Sequence, residues 1–191
     1  MATKFLAFVV FLTLLGATPA YAERAQTTDY ANDVWRLEED ASYTYVPQAP
    51  LNSDLLSVSV DHRSTDVIIT ATYAELAPTR IWAELLVRLH SDSGAAYAVR
   101  TDFSVKDSTG RVSVQNLAYG GPGLDCVTCT IRLSDARNLL KVRLPRAAID
   151  DPAWFTYQAS ALVLLRKQQW VDDAFSKYAG SERHSHKLRA G

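Results

Sequence analysis

Methionine occurs once in this chain of 191 residues, cysteine twice and histidine four times. Neither sign of charge dominates, since 20 lysines and arginines stand against 21 aspartates and glutamates. That balance argues against a nucleic-acid binder, whose affinity rests on clustered cations neutralising phosphate. No G-x-S-x-G, S-x-x-K, H-E-x-x-H or P-loop is present, so the usual serine, zinc and phosphate chemistries have no local signature. A carboxylate pair for glycoside hydrolysis can be drawn from any chain with 21 acids, and the choice carries no information. His62 and His90 lie near strand ends, where imidazoles are usually solvated. No catalytic residue and no metal ligand is nominated.

What is present begins with "MATKFLAFVVFLTLLGATPAYA". One cation, Lys4, precedes an apolar run from Phe5 to Leu15, and small residues lead to Ala20-Tyr21-Ala22. This is the layout of a signal peptide over residues 1–22, so the expected location is secreted, extracellular or cell-wall associated. The apolar run is shorter than the roughly 20 residues a membrane helix needs, and no later segment is long enough to span. Without a cysteine near the cut, lipid attachment has no site. Residues 23–180 suit a single domain with a sizeable core. Residues 181–191 read as a flexible basic tail, and residues 23–32 also look mobile.

A period of two dominates the domain. "LSVSVDH" alternates Leu56, Val58 and Val60 against polar residues, and "VIITATY" follows after the turn "RSTD", which predicts a hairpin. "RIWAELLVRLH" sets Ile81, Ala83, Leu85, Val87 and Leu89 on one face, opposite Trp82, Glu84, Leu86, Arg88 and His90. "AYAVRTDFSV", "RVSVQNLA", "CTIRL", "NLLKVRL" and "AWFTYQASALVLLR" follow, each bounded by turn residues. The expected fold is all-β: an antiparallel, jelly-roll-like β-sandwich of eight or more strands. Helix is limited to single turns at "AELAP" and "PRAAID" and a candidate at "WVDDAFSKY".

Cys126 and Cys129 form a C-x-x-C, but the strand-forming "TIRL" follows rather than the helix N-terminus that activates a redox thiolate. Half a zinc site would need two more ligands, and the only close histidine pair is His184 and His186 in the tail. A disulfide between residues three apart requires a turn, because a strand would hold them about 10 Å apart against the 4.4 to 6.8 Å of a bridge. Alternatively the strand begins at Val127 and buries Cys129 as a plain hydrophobe. In an exported chain the turn disulfide is the favoured reading. The acidic groups Glu38-Glu39-Asp40, Asp150-Asp151 and Asp172-Asp173 read as solvated loops. No cofactor is expected, although sandwich loops can gather the six to eight oxygens of a structural calcium. Trp35, Tyr43 and Tyr45 before the strand series, and Trp154 and Trp170 after it, are the candidate binding residues. Exposed rings stack on pyranose faces; the competing role is filling a β core.

"DLLSVSVDHRSTDVIITATYAEL", with "NDVWRL" before it and "NLLKVRLPRAAID", "AWFTYQASALVLL" and "WVDDAF" after it, resembles small uncharacterised secreted actinobacterial β-sandwich proteins. These are similar in turn to family-9 carbohydrate-binding modules and DOMON domains. The resemblance implies a sandwich and transfers no site residue. Haem-binding DOMON members use Met and His, and Met1 lies in the signal peptide, which leaves only His62 with His90. Three functions are compatible with this sequence. The first is a non-catalytic module binding an extracellular glycan or cell-wall polymer; the others are an envelope structural or protein-interaction module and a small secreted enzyme with a dispersed site.

Overall fold

The computed structural model describes residues 22–46, 48, 50–79, 81–180 and 182–191. The signal-peptide expectation, apart from Ala22, lies outside them. Among the described residues fourteen strands are formed: β1 (Glu23–Thr28), β2 (Trp35–Leu37), β3 (Tyr43–Tyr45), β4 (Leu55–His62), β5 (Asp66–Tyr73), β6 (Ala83–Ser91) and β7 (Ala96–Ser104). They continue as β8 (Thr109–Asn116), β9 (Leu124–Asp125), β10 (Thr130–Ser134), β11 (Leu139–Pro145), β12 (Trp154–Leu165), β13 (Gln168–Asp173) and β14 (Leu188–Arg189). Every pairing is antiparallel. A five-stranded sheet has the order β1-β4-β5-β11-β10. A nine-stranded sheet has the order β3-β2-β13-β12-β6-β7-β8-β9, with β14 added to β12. The chain is an all-β sandwich.

The alternation seen in the sequence determines which face of each strand is buried. Val58 and Val60 of β4 lie opposite Ala71 and Ile69 of β5, which lie opposite Leu140 and Val142 of β11. In the other sheet Leu85, Val87 and Leu89 of β6 lie opposite Ala161, Ala159 and Tyr157 of β12 and Thr101, Val99 and Tyr97 of β7. All of these are buried, and each fully buried aliphatic or aromatic side chain contributes about 1.5–3 kcal/mol. The sheets meet through Tyr73 on Phe103 at 5.9 Å and His62 on Phe155 at 4.4 Å between ring centroids. The buried Tyr157 hydroxyl lies 3.1 Å from the Thr27 hydroxyl and donates to the Val58 carbonyl at 3.3 Å.

Among the described residues helix is confined to 3-10 turns at Asp135–Arg137 and Arg146–Ile149, the second within the predicted "PRAAID". "AELAP" forms no helix, and "WVDD" of the third candidate lies in β13. Residues 23–28, expected to be mobile, pair along β4 from Glu23 opposite His62 to Thr28 opposite Ser57. The expected flexible tail contains β14, where Leu188 is wholly buried, Phe155 is its register partner, and its carbonyl meets the His62 Nδ1 at 3.0 Å. The basic composition of the tail concealed this one apolar anchor. Among the described residues no helix is long and apolar enough to cross a membrane.

The cysteine pair is a disulfide, with Cα atoms 5.3 Å apart. Val127 and Thr128 form the turn the bridge requires, and the Cys129 amide donates to the Cys126 carbonyl at 3.1 Å. The turn holds the end of β9 against the start of β10. In this way it links the edge of the large sheet to the edge of the small one.

Candidate functional site

Strands β6, β7 and β12 place the non-core half of their alternation on the outer face of the nine-stranded sheet. The register aligns Leu86 with Arg100 and Ser160, Arg88 with Ala98 and Gln158, and His90 with Thr156. A groove of about 650 Å³ runs over this face. Leu37 and Tyr43 stand at the β2-β3 end; Leu86, Arg88, Arg100 and Gln158 form the floor; and Gly180, Glu182 and His184 line the wall. Arg100 donates to Glu84 at 2.7 Å. Burial raises the Glu84 carboxyl above its usual range, and Arg100 opposes that rise. His90 and His184 meet edge to face at 4.7 Å, and burial and then the His184 charge hold His90 below the ordinary imidazole range. The Tyr43 ring at one end, hydrogen-bonding groups along the floor and the apolar Leu86 and Leu162 suit a polar ligand with apolar faces.

The predicted aromatic residues divide into two groups. Trp35 and Tyr45 are paired across β2 and β3 with rings 5.7 Å apart, and Tyr178 packs on Trp35 at 5.9 Å. Their polar atoms are used internally, since the Trp35 indole donates to the Lys177 carbonyl at 3.0 Å and the Tyr45 hydroxyl to the Asn32 carbonyl at 2.9 Å. Tyr43 lies on the same outer face and reaches the groove. Trp154 and Trp170 do not join them. Trp154 lies near the start of the last long strand with Lys187 over its ring at 4.0 Å. Trp170 faces inward beside Val163 and packs against the core, its indole nitrogen buried without a partner. Arg88, Arg100 and Gln158 were missed because β-sheet polar positions carry no motif; their signal was the outward alternation of β6, β7 and β12. The outer face of the five-stranded sheet is unlike this one, with a basic depression of about 550 Å³ lined by Arg63, Arg132, Lys141 and Arg143.

The acidic groups separate similarly. Glu38 is paired with Arg36 at 2.6 Å, and Asp40 accepts from the Ser42 amide at 3.0 Å. Asp150 accepts from the Tyr97 hydroxyl at 2.6 Å. Asp172, by contrast, is wholly buried at the end of β13, where Asp29 and Asp33 from the β1-β2 connection and Asp54 from the start of β4 converge with it. Asp172 Oδ2 accepts from the Leu55 amide at 2.6 Å and Asp54 Oδ2 from the Asn32 amide at 3.0 Å. Oxygens of Asp29, Asp33 and Asp172 all lie within 4.8 Å of one another. Burial, and then the neighbouring Asp29, pushes Asp172 up to about 9. Burial likewise raises Asp29 to about 8 and Asp33 to about 6. The reading of Asp172-Asp173 as a solvated loop is therefore corrected: both are buried.

The chain matches no protein-family model, no curated protein and no solved structure.

Proposed function

We propose that the protein is an exported, non-catalytic binding module that takes a glycan or cell-wall polymer along the outer face of the nine-stranded sheet. The observation that carries this reading is the groove of about 650 Å³ with Tyr43 at its end and Arg88, Arg100 and Gln158 along its floor. A pyranose presents an apolar face to a ring such as Tyr43 and hydroxyls to guanidinium and amide groups. Rigid neighbouring strands hold these groups in register, so little ordering cost accompanies binding.

Affinity electrophoresis in gels containing soluble polysaccharides tests the reading. The protein should be retarded by at least one polymer, and Tyr43→Ala and Arg88→Ala should each weaken that retardation by about tenfold, the equivalent of roughly 1.4 kcal/mol. Equal mobility with and without every polymer would remove the proposal.

A separate observation favours the protein-interaction reading. The segment between β8 and β10, which includes β9, exposes Tyr119, Leu124 and Val127 at 88%, 76% and 92%, an apolar group on the surface that invites a partner. Under that reading Tyr119→Ser with Val127→Ser abolishes partner binding, and Tyr43→Ala does not.

A further inference from the structure

We propose that Asp29, Asp33 and Asp172 hold a calcium ion at the end of the sandwich where β1, β2, β4 and β13 meet, with Asp54 beside them. Acidic clusters are common on protein surfaces, but this one is inside. Asp33 is 7% exposed, Asp54 6% and Asp172 0%. Five of their oxygens, together with Asp29, are buried without any hydrogen-bond partner: Asp29 Oδ2, both oxygens of Asp33, Asp54 Oδ1 and Asp172 Oδ1. Buried carboxylate oxygens cost free energy unless something pairs with them. Among the described residues no ion pair reaches any of these four aspartates.

The spacing fits the ion. Calcium takes six to eight oxygens at about 2.3–2.6 Å, so two ligands on opposite sides lie roughly 4.8 Å apart. Oxygens from Asp29, Asp33 and Asp172 fall within that distance of one another. The donor set excludes the soft alternatives, because neither cysteine nor histidine belongs to the cluster and zinc favours nitrogen and sulfur. Magnesium keeps several waters and usually takes one or two carboxylates, whereas calcium accepts a carboxylate cage. The remaining hydrogen bonds already orient the ligands. The Leu55 and Asn32 amides hold Asp172 and Asp54 by Oδ2 and leave Oδ1 of each unpartnered.

Such an ion would tie three distant parts of the chain together, the connection after β1, the start of β4 and the end of β13. This inference does not depend on the identity of the ligand on the sheet face. Its test is calcium binding and thermal unfolding of chelator-stripped protein. Calorimetric titration with calcium chloride should give one saturable site with a Kd of about 1 mM or tighter. Calcium at about 100-fold above Kd should raise the midpoint by roughly 5 to 10 °C over protein in chelator. Asp33→Asn should weaken binding more than the 10- to 100-fold typical of outer-shell changes. In chelator the same variant should melt no lower than wild type, since it relieves repulsion; a purely structural aspartate would instead lose stability in both conditions. No heat of binding and an unchanged wild-type midpoint would overturn the proposal, even if the variant failed to fold. Tighter binding of zinc or magnesium in parallel titrations would overturn the choice of calcium.

Discussion

His62 shows how one residue can make the fold sensitive to acid. It is wholly buried, and its Nδ1 faces the Leu188 carbonyl at 3.0 Å, so that nitrogen carries the hydrogen and donates. Nε2 has no partner. A second proton would sit on Nε2 without an acceptor, and burial, the largest cause, together with Arg146 lowers the imidazole below its ordinary range. The unfolded chain therefore binds this proton more readily than the folded one. The contribution of neutral His62 is fully present above about pH 6.5 and declines as pH falls below it. The raised carboxyls of Asp29, Asp33 and Asp172 push the total the other way as pH falls, so the readout is the difference between two proteins. In urea unfolding, wild type should lose stability relative to His62→Asn, which can still donate to Leu188, between pH 7 and pH 5; a constant difference between the two proteins would refute the assignment. At the same scale, replacing Cys126 and Cys129 together by serine should cost about 2 kcal/mol, the chain-entropy value for so short a loop. In a domain of this size that is a drop of about 4 to 8 °C in thermal midpoint.

Among the elements, legibility followed the chemistry of the inward positions. Strands β4 to β8 and β10 to β12 were readable because their inward residues are mostly Val, Ile, Leu, Phe or Tyr at alternate positions, with a few alanines between. The β1 strand was not, because "ERAQTT" buries only Ala25 and owes its place to hydrogen bonding along β4. Strand β13 looked helical because its inward residues are Trp170 and Asp172, an aromatic and a carboxylate, rather than an apolar alternation. Short β2 and β3 gave no period to detect, although Trp35, Tyr43 and Tyr45 on them were singled out and do share a face. The carboxylate cluster was invisible for a different reason. Asp29 and Asp172 are brought together only by the fold, and the sequence around Asp29 differs from an ordinary polar turn in nothing but its acids. The β14 strand carries its own prediction. Leu188→Ala removes a fully buried side chain that packs beside Phe155 and should cost about 2–5 kcal/mol in chemical denaturation. A cost near zero would mean that the C-terminal segment contributes little to the folded state.

The whole molecule divides its labour by sheet and by end. The five-stranded sheet presents a basic outer face, the nine-stranded sheet a groove with rings at one edge, and the carboxylates sit at the end where β1 leads into β2. Trp35 lies two residues after Asp33, so the ring edge and the carboxylates share a connection. Order at one is expected to reach the other. Binding measurements on the sheet face should therefore be made with calcium and with chelator. Whether the outer face of the large sheet binds a polymer, as proposed, is decided by a depletion isotherm on cell wall and insoluble polysaccharides. Saturable loss of folded protein from solution onto at least one polymer is the expected result, with the isotherm weakened by Tyr43→Ala. Folded protein that stays in solution over every polymer, in calcium and in chelator alike, would contradict it.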